Sequence, residues 1–230
     1  MNANLLVVGV GGQGVMTAAE VLARVALAAG WDACKTEIAG VSQRGGVVSS
    51  QVRIGRHVHA SEITPGEADV LLALESAEAL RWCHWLAPAG HAVINTMRAV
   101  PPVVSSGRAA YPEDPVGAVR ALGYAASAVN ATDIAVALGD VRLANTVMLG
   151  AASACLPFEA GALLEEVLRR FAGKQALARL NAEAFEAGRA QAAPSLPPSV
   201  RPELLPPSVR PELVEGACPE RLEGLSPNGS

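Results

Sequence analysis

The sequence predicts an α/β fold: three-layered and Rossmann-like, with a mostly parallel sheet, helices on both faces and one β-hairpin insertion. Three observations predict it. The chain opens on an apolar run, Leu5-Leu6-Val7-Val8, that breaks into Gly9-Val10-Gly11-Gly12-Gln13-Gly14 and passes directly into a helix-like stretch. A second, nearly unbroken apolar run, Asp69–Leu74, has the length and character of a strand buried on both faces. Strand-like and helix-like segments then alternate along the chain, as a parallel sheet requires.

Taken in order, Leu5–Val8 reads as the first strand and Val15–Ala29 as its helix, closed by Gly30. Ala33–Ile38 is the second strand. Val47–Ile54 and His57–Ser61 read as a hairpin turning at Gly55-Arg56, after which Pro65-Gly66 breaks the chain. Ser76 is the candidate cap of a helix from Ala77 to Leu86, stopped by Pro88 and Gly90. Trp82 and Trp85 lie three apart on it, as a packing face or as a partner surface. His91–Asn95 is the next strand. Further on come a short strand at Arg108–Tyr111, a helix at Pro115–Leu122 and a strand at Ala125–Val129. Asn130-Ala131-Thr132-Asp133 leads into Ile134–Leu138. Helices at Val141–Ala154, Leu163–Phe171 and Lys174–Ala190 complete the domain.

Composition narrows the classes. The 230 residues suffice for one sizeable α/β domain, and a 50% hydrophobic content supplies its core. Aromatic residues make up only 3%, so helices must close on the sheet through small side chains. A net charge of −4 argues against nucleic acid, which favours a clustered basic face. No apolar run is long enough to span a bilayer. The Met1-Asn2-Ala3-Asn4 start lacks a basic n-region, so a cytoplasmic protein is the expectation.

The glycine loop is the first candidate site. Gly9, Gly11 and Gly14 occupy the three positions of Gly-x-Gly-x-x-Gly, for a tight turn, close backbone approach to a ligand, and helix–strand packing respectively. With Gly12 and Gln13 they can present backbone amides and a helix N-terminus to an anion; the alternative is a strand–helix turn that needs glycine for sterics alone. A dinucleotide site also wants a carboxylate ending the second strand. Asp32 comes too early, and Glu37 has Lys35 two residues before it, so that reading is incomplete. The second candidate is Ser42-Gln43-Arg44-Gly45-Gly46, where a guanidinium fork and backbone amides can meet a phosphate or carboxylate. An ordinary glycine turn with Arg44 solvated is its counterpart. Asn145, inside an apolar helix, is either a satisfied amide fixing neighbouring backbone or a ligand contact.

Cys34, Cys83, Cys155 and Cys218 are scattered, without a Cys-x-x-Cys, so no iron–sulfur cluster is expected on this chain. His57 and His59 lack a third ligand and read as solvated rather than metal-binding. His84 and His91 have no clear partner, and no catalytic triad stands out, so no catalytic residue is assigned.

Together, Gly-Val-Gly-Gly-Gln-Gly, the Ser-Gln-Arg-Gly-Gly loop and Ala68–Glu75 resemble the gamma-type domain of the 2-oxoacid:ferredoxin oxidoreductases, the indolepyruvate branch in particular. The likeness continues through Asn145-Thr146-Val147-Met148-Leu149-Gly150 and Leu180–Gly188, covering roughly residues 1 to 190. The resemblance implies a subunit inactive alone. Its partner would be an alpha subunit holding thiamine diphosphate and [4Fe-4S] clusters, oxidising a 2-oxoacid to acyl-coenzyme A and passing electrons to ferredoxin. Coenzyme A is then a possible ligand of this chain, with the two glycine loops toward ligand and partner. A stand-alone nucleotide- or NAD-binding protein is the alternative.

The chain changes character near Ala193. Leu196-Pro-Pro-Ser-Val-Arg-Pro-Glu-Leu204 recurs unchanged as Leu205–Leu213. Proline removes backbone donors, so residues 194–230 are expected to be a disordered, proline-rich appendage to a domain of residues 1–193. A proline-rich docking motif is the competing reading.

Overall fold

The computed structural model describes residues 2–39, 46–100, 102–105, 107 and 110–191. The loop residues 42–45 and the tail from 194 onward lie outside them, as do Arg108 and Ala109 of the expected short strand.

The first unit follows the sequence closely: β1 (Ala3–Val10), α1 (Val15–Ala28) and β2 (Asp32–Ala39). Beyond them stand β3 (Val47–Gly55), β4 (Ala68–Ala73), α2 (Ser76–Trp82), β5 (Leu86–Asn95), the helical turn α3 (Pro102–Ser105) and α4 (Pro115–Ala121). The chain closes with β6 (Ala125–Val129), α5 (Ala131–Ala137), α6 (Ala144–Ala152), α7 (Ala160–Arg169) and α8 (Gln175–Gln191). The strands form one six-stranded sheet ordered β2-β3-β1-β4-β5-β6. β1, β4, β5 and β6 run parallel, whereas β3 is antiparallel to both of its neighbours.

The antiparallel pairing differs from the expected hairpin. β3 pairs with β2 on one side and β1 on the other, so neither edge remains for residues 57–61, which form no strand. Side chains of the sheet tie that segment down instead. Val58 N donates to Asp32 Oδ2 (3.1 Å), Ile63 N to Gln51 Oε1 (2.5 Å), and Arg53 reaches the carbonyls of Ala60 (3.4 Å) and Glu62 (3.2 Å). His57 and His59 are exposed.

Alternation along the strands divides the core. Leu5, Val7, Val52, Val70, Leu72 and Val93 face the layer containing α1 and α5 to α8, and Leu6, Val8, Leu71, Ala92 and Ile94 face α2 and α4. Trp82 and Trp85, with ring centroids 5.5 Å apart, are half-buried against the second layer, the packing role. α6 and α8 approach most closely. A Cβ on Gly150 would sit 3.1 Å from Phe185 Cα, and one on Gly188 would sit 3.0 Å from Ala151 N.

Other boundaries moved for local reasons. The cap of α2 is Glu75 rather than Ser76: its carboxylate accepts from Glu78 N at 2.9 Å. A single 3-10 turn, Cys83–Trp85, replaces the expected last helical turn, and β5 starts at Leu86. β5 passes through Pro88 and Gly90 where the β4–β5 register shifts, between Ala68↔Leu86 and Val70↔His91, so the missing proline donor is not needed. Ala110 and Tyr111 are not in a strand.

His91 on β5 does have a partner: Nε2 lies 2.8 Å from Ser127 Oγ on β6, while the buried Nδ1 is unpaired. Burial, reinforced by the Arg120 guanidinium, holds its pKa below the ordinary 6.5. The folded state therefore takes up this proton less readily than the unfolded chain. Stability is unaffected above pH 6.5 and falls as pH drops below it. His91→Gln should flatten that acid-side decline. Melting temperatures of both proteins from pH 7.5 down to pH 5 check it, and parallel profiles would remove His91 as a cause.

Candidate functional site

In open α/β sheets, ligands gather outside the carboxyl ends of the parallel strands. Here that edge is built by the loop after β1, Leu74 and Glu75 after β4, Asn95 ending β5, and the start of α6.

The glycine roles are redistributed from the sequence expectation. The left-handed residues are Gly12 (φ 101°) and Gly14 (φ 82°), so the tight turn belongs to them. Gly9 instead allows close packing: a Cβ there would lie 2.7 Å from Gln13 Oε1 and 3.1 Å from both Leu74 Cβ and Val15 Cγ2. Gly11 N donates to Gly46 O at 2.9 Å, which brings the second glycine segment against the first. Ser42, Gln43, Arg44 and Gly45 lie outside the described residues.

Gln13 folds back into its own loop. Its Oε1 accepts from Val10 N (2.8 Å), and its backbone N donates to Val10 O (3.1 Å). Its Nε2 points to Met97 Sδ at 3.2 Å. The amides of Val10, Gly11 and Gln13 are thus engaged within the protein. Asn145 Nδ2 donates to Gln13 O (3.2 Å) and Gly14 O (2.9 Å), the role of fixing neighbouring backbone, and the residue also lines a cavity.

That cavity, of about 440 Å³, lies between α1, the strand ends, α6 and the α7 terminus. Its walls are mostly apolar, through Val21, Leu74, Leu149, Val167 and Phe171, and Asn95, Thr132 and Thr146 supply polar atoms. Asn95 Nδ2 donates to Leu74 O (3.2 Å) and Thr132 Oγ1 (3.1 Å); Thr146 Oγ1 donates to Asn181 Oδ1 (2.7 Å). Arg142 and Arg170 stand in its lining. Of the cavity's lining, sequence reasoning singled out Gly12, Gln13, Gly14 and Asn145, and none of the apolar, threonine, Asn95 or arginine positions. The only advance signal was Asn95's place at the carboxyl end of a predicted strand.

Beside the cavity a second unanticipated cluster holds the connection after β5. Glu75 is 1% exposed and accepts hydrogen bonds from Glu78 N, Ala99 N (3.0 Å) and the Tyr111 hydroxyl. The Tyr111 oxygen lies 2.9 Å from Ser76 Oγ, and the Arg98 guanidinium sits 4.4 Å above its ring. Burial, and then the bond to Glu75, push the Tyr111 pKa up. Burial likewise raises that of Glu78, against the opposing pull of Arg81. Because Ser76 N also donates to Met97 O (3.1 Å), this cluster fixes Met97 and with it one cavity wall.

The geometry does not suit a nicotinamide dinucleotide. β3 stands between β1 and β2, which puts Glu37 two strands from the glycine loop, roughly 10 Å at the usual strand spacing. Glu37 Oε1 is moreover paired with Lys35 Nζ (2.5 Å), which also reaches Glu20 (3.3 Å). Among the described residues metal chemistry has no donor set either. Cys34, Cys83 and Cys155 belong to three separate hydrophobic clusters, and no three His, Cys, Asp or Glu side chains converge among the described residues. Among those residues no helix is long and apolar enough to cross a membrane.

Comparison with known proteins identifies the family and supports the fold. The family described as pyruvate ferredoxin/flavodoxin oxidoreductase matches residues 4–191. The indolepyruvate oxidoreductase subunit IorB of Archaeoglobus fulgidus is 38% identical over 202 residues, which cover 87% of this chain and 100% of that protein. Among solved structures, the gamma subunit of a keto/oxoacid ferredoxin oxidoreductase from Geobacter sulfurreducens is 25% identical (TM-score 0.61, covering 83% of this chain and 98% of that one). A 2-oxoglutarate:ferredoxin oxidoreductase from Magnetococcus marinus, with 2-oxoglutarate, coenzyme A and succinyl-CoA bound, shares the fold at 22% identity (TM-score 0.66). There the match covers 83% of this chain but only 31% of the larger one. On sequence and fold together, the chain belongs to the pyruvate ferredoxin/flavodoxin oxidoreductase family, as an oxidoreductase subunit of the 2-oxoacid:ferredoxin class.

Proposed function

We propose that this chain is the small, non-thiamine-binding subunit of an arylpyruvate, specifically indolepyruvate, ferredoxin oxidoreductase. The observation that carries the reading is the 38% identity to an indolepyruvate oxidoreductase subunit along that protein's whole length. In the proposed reaction a 2-oxoacid and coenzyme A give acyl-coenzyme A and carbon dioxide. The electron pair passes through iron–sulfur clusters to ferredoxin, and one proton is released. Thiamine diphosphate, when bound in the larger alpha subunit, supplies the carbanion-stabilising chemistry. The family resemblance assigns both groups to the partner, and among the described residues no three His, Cys, Asp or Glu side chains converge.

This chain then covers the partner's active site and borders the path of coenzyme A. Gly9, Gly11, Gly12, Gln13, Gly14 and Gly46 are the proposed edge toward it, and Ser42, Gln43, Arg44 and Gly45, proposed with them from the sequence, lie outside the described residues. With the Val10, Gly11 and Gln13 amides already bonded, the first loop acts as a stiff wall more than as a phosphate cradle. The working unit is residues 1–193, and the repeat tail, 194–230, takes no part in catalysis. A cytoplasmic location suits the ferredoxin partner.

Coexpression with the alpha subunit tests the reading. The pair should reduce ferredoxin or a viologen with indolepyruvate and coenzyme A, and the purified chain with thiamine diphosphate alone should be silent. Turnover by the chain alone would overturn the assignment, as would a pair with no arylpyruvate-dependent reduction.

A further inference from the structure

The cavity beside the glycine loop carries a charge pattern of its own. Of its two guanidiniums, Arg142 is committed: Nε lies 2.9 Å from each Asp140 oxygen and Nη2 2.6 Å from Oδ2, so that pair brings no net charge. Arg170 makes no ion pair among the described residues, and it leaves the lining with one uncompensated cation. Asn145 uses its amide hydrogens on Gln13 O and Gly14 O, and its Oδ1 has no donor among the described residues. The remaining walls, Leu149, Val167 and Phe171 in particular, are apolar.

We propose that this cavity binds a ring-bearing monocarboxylate, with the ring against Leu149, Val167 and Phe171 and the carboxylate on Arg170. The volume of about 440 Å³ falls in the range of small-molecule pockets. A single planar guanidinium matches one carboxylate in charge and in bidentate geometry. A nucleotide diphosphate would bring more negative charge than Arg170 neutralises. It would also find the Val10, Gly11 and Gln13 amides already bonded. Asn145 lines the same cavity, and its Oδ1, which has no donor among the described residues, is the acceptor proposed for a ring N–H. Two sources share this chemistry, an aryl-2-oxoacid and an arylacetate. Only the naming of those sources rests on the proposed function; the site itself rests on the cavity.

Isothermal titration of the full-length chain tests the site, using phenylpyruvate, indole-3-acetate, neutral indole and ADP as probes. One aromatic carboxylate or both should bind saturably, and the stronger identifies the source; indole and ADP should bind at least about tenfold more weakly. Loss of a charge-assisted contact is worth about tenfold or more in affinity. Arg170→Gln should therefore weaken the carboxylate by that factor, Arg170→Lys by less, and Arg142→Gln by less than about twofold, with melting temperatures unchanged. No saturable carboxylate binding, ADP binding as tightly as the carboxylates, or an Arg170→Gln affinity equal to wild type would each overturn the proposal. An active two-subunit enzyme without this binding removes the site and leaves the function; binding without activity does the reverse.

Discussion

Gly188→Val is expected to lower the melting temperature by about 6–12 °C, or to prevent stable folding outright. A Cβ at this position would sit 3.0 Å from Ala151 N and closer still to Val147 O, so the obstacle is the backbone of α6. Overpacking against movable side chains costs about 1–3 kcal/mol, and an obstacle that cannot change rotamer belongs at the upper end or above. For a domain of this size each kcal/mol shifts the midpoint by about 2–4 °C. Alanine should give a smaller drop in the same direction, because even its one carbon meets the carbonyl. Circular dichroism melts of the three proteins settle the matter; a valine variant within about 2 °C of wild type would mean the two helices do not cross this closely.

The second large effect is expected at Glu75. Replacing it with alanine removes the acceptor of Glu78 N, Ala99 N and the Tyr111 hydroxyl together. A buried donor left without an acceptor costs about 1–3 kcal/mol, and the lost helix cap lies within that sum, so a total near about 3 kcal/mol is expected. Tyr111→Phe removes one donor along with its need for an acceptor and should cost about 1 kcal/mol. Glu75→Gln keeps one oxygen and should fall between the two. Urea midpoints rank the variants, and amide exchange at Ala99 should accelerate in Glu75→Ala alone. If the alanine and phenylalanine variants were equally stable, the carboxylate would not be the centre of the cluster.

What the sequence made legible was local. β1, α1 and β4 are each specified by an apolar run and its glycine or polar boundary, and they fall within a residue or two of the expected limits. Asn145 was visible as one amide in an apolar helix, and it does fix the glycine loop. What escaped depended on distant neighbours. Residues 57–61 alternate as a strand would, but both edges of β3 were taken, and no local pattern records that competition. Ser76 and Glu75 can each cap a helix; the choice fell to Glu75 because Ala99 and Tyr111, remote in sequence, also need its oxygens. The polar cavity groups pair across similar spans, Asn95 with Thr132 and Thr146 with Asn181. The Gly-x-Gly-x-x-Gly spacing was read correctly as a strand–helix turn, but the amides of Val10, Gly11 and Gln13 and the carbonyls of Gln13 and Gly14 are engaged by Gln13, Gly46, Val10 and Asn145 rather than left open.

The antiparallel strand wedged between β1 and β2 also bears on how the chain is made. β1, α1, β2 and β3 are consecutive within residues 3–55, and their pairings, from Ala3↔Ile54 to Val10↔Val47, need nothing from farther downstream. A hairpin and one helix can therefore set the register of β1 while the ribosome is still delivering β4. The other edge of β1 meanwhile waits, with Leu5, Leu6, Val7 and Val8 unpaired on that side until Val70–Ala73 arrives. During that interval β1 is a sticky template for another nascent copy. The finished outer edge is guarded differently, since β2 carries the Lys35–Glu37 ion pair. The period between synthesis of Gly55 and of Ala73 is thus the window in which a holdase chaperone would matter most to this protein.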